Sequence, residues 1–122
     1  MTTNLQRYQA SMVPKEADFQ TQVLDLAWRY GWEALHVFPA QVGEGKRRRF
    51  ITPTQGTMAK GWPDLVLLKD GRLIFVELKS ATGKLSADQS RVLELLRKIH
   101  GAAVETWRPA DLEHIAWLLA NA

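Results

Sequence analysis

Apolar residues change their period along this chain, and each change marks an element. Phe19, Val23, Leu26, Ala27 and Tyr30 recur at helical spacing, with Pro14 suited to the first helical turn and Gly31 to the stop. Leu35-His36-Val37-Phe38 reads as a short strand halted by Pro39. From there to Trp62 the chain reads as one long connection, interrupted by Gly43, Gly45, Pro53 and Gly56; such a length in a compact domain points to a functional or mobile loop. Two β-rich runs then flank Asp70-Gly71, the signature of a two-residue hairpin turn, so a hairpin is expected over about 64–79. Ser86-Ala87-Asp88-Gln89 has the form of a capping box, with Gln in place of Glu. The helix it opens should bury Val92, Leu95, Leu96 and Ile99 and end before Gly101. Ala103–Trp107 reads as a strand, and 109–119 as a last helix with Leu112, Ile115, Ala116 and Leu119 inward. The order is α-β-β-β-α-β-α, an α/β domain.

At 122 residues, the chain is expected to form one domain over 14–122, preceded by a flexible arm at 1–13. Apolar residues make up 46%, yet none of their runs is long enough to cross a bilayer, and no signal sequence is expected; a cytoplasmic location follows as an expectation. The absence of cysteine excludes disulfides, thiolate metal sites and cysteine nucleophiles. Net charge is only +3, but Lys46-Arg47-Arg48-Arg49 concentrates four cations in the long connection. Together with Lys60 and Lys84, which flank the hairpin, this block suits a phosphate backbone; the alternative is a solvated loop tip.

The chemistry centres on Asp64 and Glu77. Counting back from the Asp70-Gly71 turn pairs Lys69 with Arg72, Leu68 with Leu73 and finally Asp64 with Glu77. That would be a close pair, with Cβ atoms about 4.5–5.5 Å apart. Two carboxylates so placed repel unless something positive lies between them, and a hard divalent cation is the natural occupant. The backbone carbonyl of Leu78 is within reach of the same ion, and Lys79 projects from the same strand face as Glu77. Such a lysine could orient or deprotonate a water, or hold a phosphate. The competing readings are a turn residue at Asp64 and, for Glu77, a strand-surface salt bridge to Lys79 or Arg72 or an exposed strand face. His36 reads as a packed strand residue, since neither it nor His100 and His114 has zinc-like spacing. Trp62 could pack or could stack on a base, and Trp28, Trp32, Trp107 and Trp117 read as core or dimer surface.

Gly61-Trp62-Pro63-Asp64, the hairpin, Glu77-Leu78-Lys79 and Gln89 together resemble the VRR-NUC (virus-type replication-repair nuclease) group of the PD-(D/E)xK nuclease superfamily. The resemblance spans about 14–108. It implies an α-β-β-β-α-β core followed here by a C-terminal helix, and a Mg²⁺- or Mn²⁺-dependent endonuclease acting on DNA. It implies Asp64 and Glu77 as metal-site acids, Glu16 on the first helix as a further acid that could reach the metal through water, and Lys79 as the catalytic lysine. Gln89 falls where members carry a glutamine, although its place in the cap explains it equally well. Small stand-alone members resemble Holliday-junction resolvases, so branched DNA and a homodimer are the expected substrate and state. Three other classes remain open: a non-cleaving DNA-binding adaptor, a sequence-specific restriction-type nuclease, and a protein–protein module with an acidic strand edge.

Overall fold

The computed structural model describes residues 16–37, 40–47, 49–51 and 55–122. The arm at 1–13 and Arg48 lie outside them. Helix α1 (Glu16–Arg29) leads into β1 (Glu33–His36); a short hairpin follows, β2 (Ala40–Val42) and β3 (Arg49–Ile51), joined through a 3-10 turn at Gly45–Arg47. Next come β4 (Leu65–Lys69), β5 (Arg72–Leu78), α2 (Ala87–Arg97), β6 (Ala102–Trp107), a 3-10 turn (Pro109–Asp111) and α3 (Leu112–Asn121). The main sheet has the order β1-β4-β5-β6, antiparallel except for β5 and β6, which run parallel with α2 as their crossover. This is the expected α-β-β-β-α-β-α order with one addition. The long connection is not structureless: β2 and β3 pair within it, Ala40 opposite Ile51 and Val42 opposite Arg49. The glycines at 43 and 45, read as loop breakers, both take positive φ in the link between the two strands.

The hairpin register is the one the turn dictates. Asp70 (φ 49°) and Gly71 (φ 79°) both have positive φ, as a type I′ turn requires, and Lys69 lies opposite Arg72 and Leu65 opposite Val76. On one face of the sheet, Leu65, Leu67, Ile74, Val76 and Leu78 pack against Phe19, Val23, Leu26 and Ala27 of α1 and Leu112, Ile115, Ala116 and Leu119 of α3. The indole N–H of Trp32 donates to the carbonyl of Leu119 (3.0 Å), tying the start of β1 to the end of α3. The other face is covered by α2 through a smaller cluster, Phe75 with Val92 and Leu96.

That smaller cluster corrects the expected stripe of α2. Val92 and Leu96 are buried with Leu93, whereas Leu95 (42% exposed) and Ile99 (44%) face outward. Helical period alone admits either stripe; the helix turns so that Val92 and Leu96 meet Phe75, and Leu95 falls off that contact. Of the tryptophans read as core or dimer surface, Trp32 and Trp107 are buried, while Trp28 and Trp117 are exposed. No described helix is long and apolar enough to cross a membrane.

Candidate active site

Strand alternation sorts the residues of β5. Ile74, Val76 and Leu78 belong to the α1–α3 core, and Phe75 to the α2 side, so Glu77 and Lys79 project on the α2 side as well. Continuing the Leu65–Val76 register by one residue places Asp64 beside Glu77, as the turn geometry predicted. On its other side Glu77 lies next to Thr106 of β6. Glu77 is therefore flanked on both sides along the sheet. It is 2% exposed, one of only two buried polar or charged residues among those described.

Asp64 occupies the point where β4 frays. Its carbonyl accepts from the Val37 N–H (2.8 Å), which anchors it to the chain just beyond β1. Its carboxylate oxygen Oδ2 accepts from the Leu78 N–H (2.8 Å). The register would put Pro63 opposite Leu78, so the aspartate side chain takes the ladder bond at the position where the strand ends. In a strand the N–H and C=O of one residue point to the same side, so the Leu78 carbonyl is also turned toward the Asp64 side. The Lys79 N–H, one residue on, donates to the Trp107 carbonyl of β6 (2.9 Å). Asp64, Glu77 and Leu78 thus occupy neighbouring register positions at one corner of the sheet, and the half-buried Lys79 follows just beyond the strand end.

These donors are all hard oxygens, which is the set magnesium or manganese takes, and Mg²⁺ ordinarily keeps several waters besides one or two carboxylates. Among the described residues no group of three or more Asp, Glu or His side chains is placed to hold a metal ion. Helix α1 begins at Glu16, but the side chain of Glu16 lies outside the described residues. A buried carboxylate beside a second one is costly in free energy, and a cation held between them offsets that cost.

Gln89 is committed to the cap. Its side-chain oxygen accepts from the Ser86 N–H (2.9 Å), and the Ser86 hydroxyl accepts from the Gln89 N–H (3.1 Å). The structure thus shows the capping role of Gln89 in full and holds its oxygen there. The turn before Asp64 presses onto this cap through Gly61. A Cβ on Gly61 would stand 2.4 Å from the carbonyl oxygen of Asp88 and 2.9 Å from the Gln89 nitrogen, and Gly61 has φ 102°. Only glycine fits there, which gives the first residue of the Gly-x-Pro-Asp stretch a physical reason that spacing alone did not supply.

Lys60, read as a DNA contact, forms an exposed ion pair with Asp88 (3.4 Å) that fastens the same turn to α2. Exposed pairs of this kind are weak, so a phosphate can replace the carboxylate. Lys84, Lys46, Arg47 and Arg49 are exposed, the last three on the β2–β3 hairpin. Trp62 packs edge-on against Phe75 (centroids 5.7 Å, planes at 84°), which favours packing over base stacking. His36 lies opposite Leu65, half-buried on β1, in keeping with a packed residue.

One residue near the site carried no sequence signal. Arg108 donates through Nη1 to the carbonyls of Ser80 (2.7 Å) and Gly83 (2.6 Å), in the turn that follows Lys79. A lone arginine after a strand, with partners far back in the chain, has no local pattern to betray it.

Residues 15–109 match the VRR-NUC domain family. No curated protein and no solved structure matches the chain.

Proposed function

We propose, from the premise that this chain belongs to the VRR-NUC family of PD-(D/E)xK nucleases, that Asp64, Glu77 and Lys79 form the centre where it hydrolyses DNA. The observation that supports this most is the bond from the Leu78 N–H to Asp64 Oδ2, which draws one carboxylate across the sheet to the strand that carries the other. Asp64, Glu77 and the Leu78 carbonyl would hold Mg²⁺ or Mn²⁺, with Glu16 adding a contact through water. Bound there, the cation would supply charge neutralisation at the phosphate and acidify a water for attack. Asp64 is held by Oδ2, so its Oδ1 is the atom available to a ligand. Lys79 either orients the attacking water or neutralises the scissile phosphate. Lys46, Arg47, Arg48, Arg49, Lys60 and Lys84 bind the backbone. Phosphate contacts carry no base sequence, so selection is by DNA shape, with branched DNA or junctions as the substrate class. A homodimer would supply the two centres that paired cuts require.

Cleavage of junction, flap, splayed and linear DNA, with Mg²⁺, with Mn²⁺ and with chelator, tests each part. Asp64→Asn, which keeps an acceptor for the Leu78 N–H, and Lys79→Ala should each lower the rate by about 10²–10⁴-fold while the melting curve is preserved. Unimpaired cutting by either variant rules out this centre. Equal rates on linear and branched DNA remove the shape selection, and a monomeric mass on bound DNA removes the dimer.

A further inference from the structure

We infer that Arg108 is a positioning residue for Lys79, acting through the turn that it fastens. The inference rests on the reading of Lys79 as a site residue. At Leu78 strand β5 loses its partner in β4, because the register runs out at Pro63. Beyond that point the chain is held from the β6 side. The Lys79 N–H donates to the Trp107 carbonyl (2.9 Å), and the next residue of that strand end, Arg108, reaches two carbonyls of the following turn, Ser80 (2.7 Å) and Gly83 (2.6 Å).

The turn closes on itself as well. The Ser80 hydroxyl accepts from the Gly83 N–H (2.9 Å). Lys79 lies along this turn: a Cβ on Gly83 would stand 3.6 Å from Lys79 Cδ and 2.9 Å from Ser80 Oγ. The lysine stem is therefore bounded by a turn whose two inward carbonyls end on one guanidinium nitrogen. Arg108 is itself fixed, its N–H donating to Asp111 Oδ2 (2.8 Å) and its carbonyl accepting from the Asp111 N–H (2.8 Å). The contacts run from the start of α3 through Arg108 and the 80–83 turn to the stem of Lys79. Hydrogen bonds from a guanidinium are charge-assisted, and both N–H groups of one Nη can be used at once, which suits a residue that must gather two carbonyls.

The test uses Arg108→Met and Arg108→Lys beside the wild type and Lys79→Ala. A displaced catalytic group costs up to about 10²-fold, so Arg108→Met should lose roughly 10- to 100-fold in kcat. Its KM for DNA should move less than about threefold, since an interaction felt only in the reacting state lowers kcat. Arg108→Lys keeps charge and donors without the planar fork and should recover part of the loss. A second readout needs no cleavage. The rate at which a limiting anhydride acylates the Lys79 amine, followed by peptide mass spectrometry, should change in Arg108→Met while Lys69 and Lys98 react as before. Unchanged Lys79 acylation overturns the inference, as does a loss confined to KM or acylation rates that rise equally at all three lysines. If Lys79→Ala cuts like wild type, the reading of the centre fails, and the acylation rates still decide whether Arg108 directs Lys79.

Discussion

On the side of the sheet facing α1 and α3, Leu65, Leu67, Ile74, Val76 and Leu78 form an unbroken apolar layer, whereas on the α2 side Phe75 is followed along the same strand by Glu77, with Lys79 just beyond the strand end. One strand, β5, supplies both surfaces by alternation, and the two differ in what replaces water. The first face is closed by two helices. The second is closed by one helix as far as Phe75, and its far end carries polar groups held by main-chain bonds: Asp64 by Leu78 and Val37, and the turn after Lys79 by Arg108. The larger apolar core lies on one face and the proposed centre on the other.

That division can be broken by mutation. The largest stability effect is expected on the closed face. Leu67→Ala removes a fully buried side chain from between two helices and the sheet and should cost about 2–5 kcal/mol in urea unfolding. Per folded molecule, cleavage should be retained; a specific loss of rate at full folding would mean that the two faces are not separable. A smaller effect belongs to the contact beneath the site. Gly61→Ala must shift the backbone of α2 at Asp88 and adopt a strained φ, for about 1–3 kcal/mol, with a larger fall in cleavage than in stability. An alanine variant as stable and as active as the parent would show that the close approach is not needed. The smallest is Glu77→Gln. It keeps the volume of the buried side chain, so without metal the variant should stay within about 1 kcal/mol of the parent in stability, yet be inactive. Marked destabilisation in chelator would mean that Glu77 serves the fold.

Much of this was legible in the chain because its determinants are local. Asp70-Gly71 dictates a type I′ turn, the turn dictates the register, and the register puts Asp64 beside Glu77. Ser86 and Gln89 likewise announce their own cap. Local pattern misleads where the outcome depends on orientation. Leu95 and Ile99 fit the helical period yet lie outside the buried stripe of α2, because a period does not say which of two adjacent stripes meets the sheet. Within 39–62, β2 and β3 are only three residues each, too short to show alternation.

The sequence by itself determined the elements other than β2 and β3, the hairpin register and the pair of carboxylates, since each follows from neighbours within one turn or one hairpin. Tertiary structure decided which face those carboxylates share with α2, why residue 61 must be glycine, and that Arg108 reaches the turn behind Lys79. The last two facts depend on parts of the chain 25 or more residues apart meeting in space. No local period or motif encodes such a meeting, because it is fixed only when helices and strands pack together.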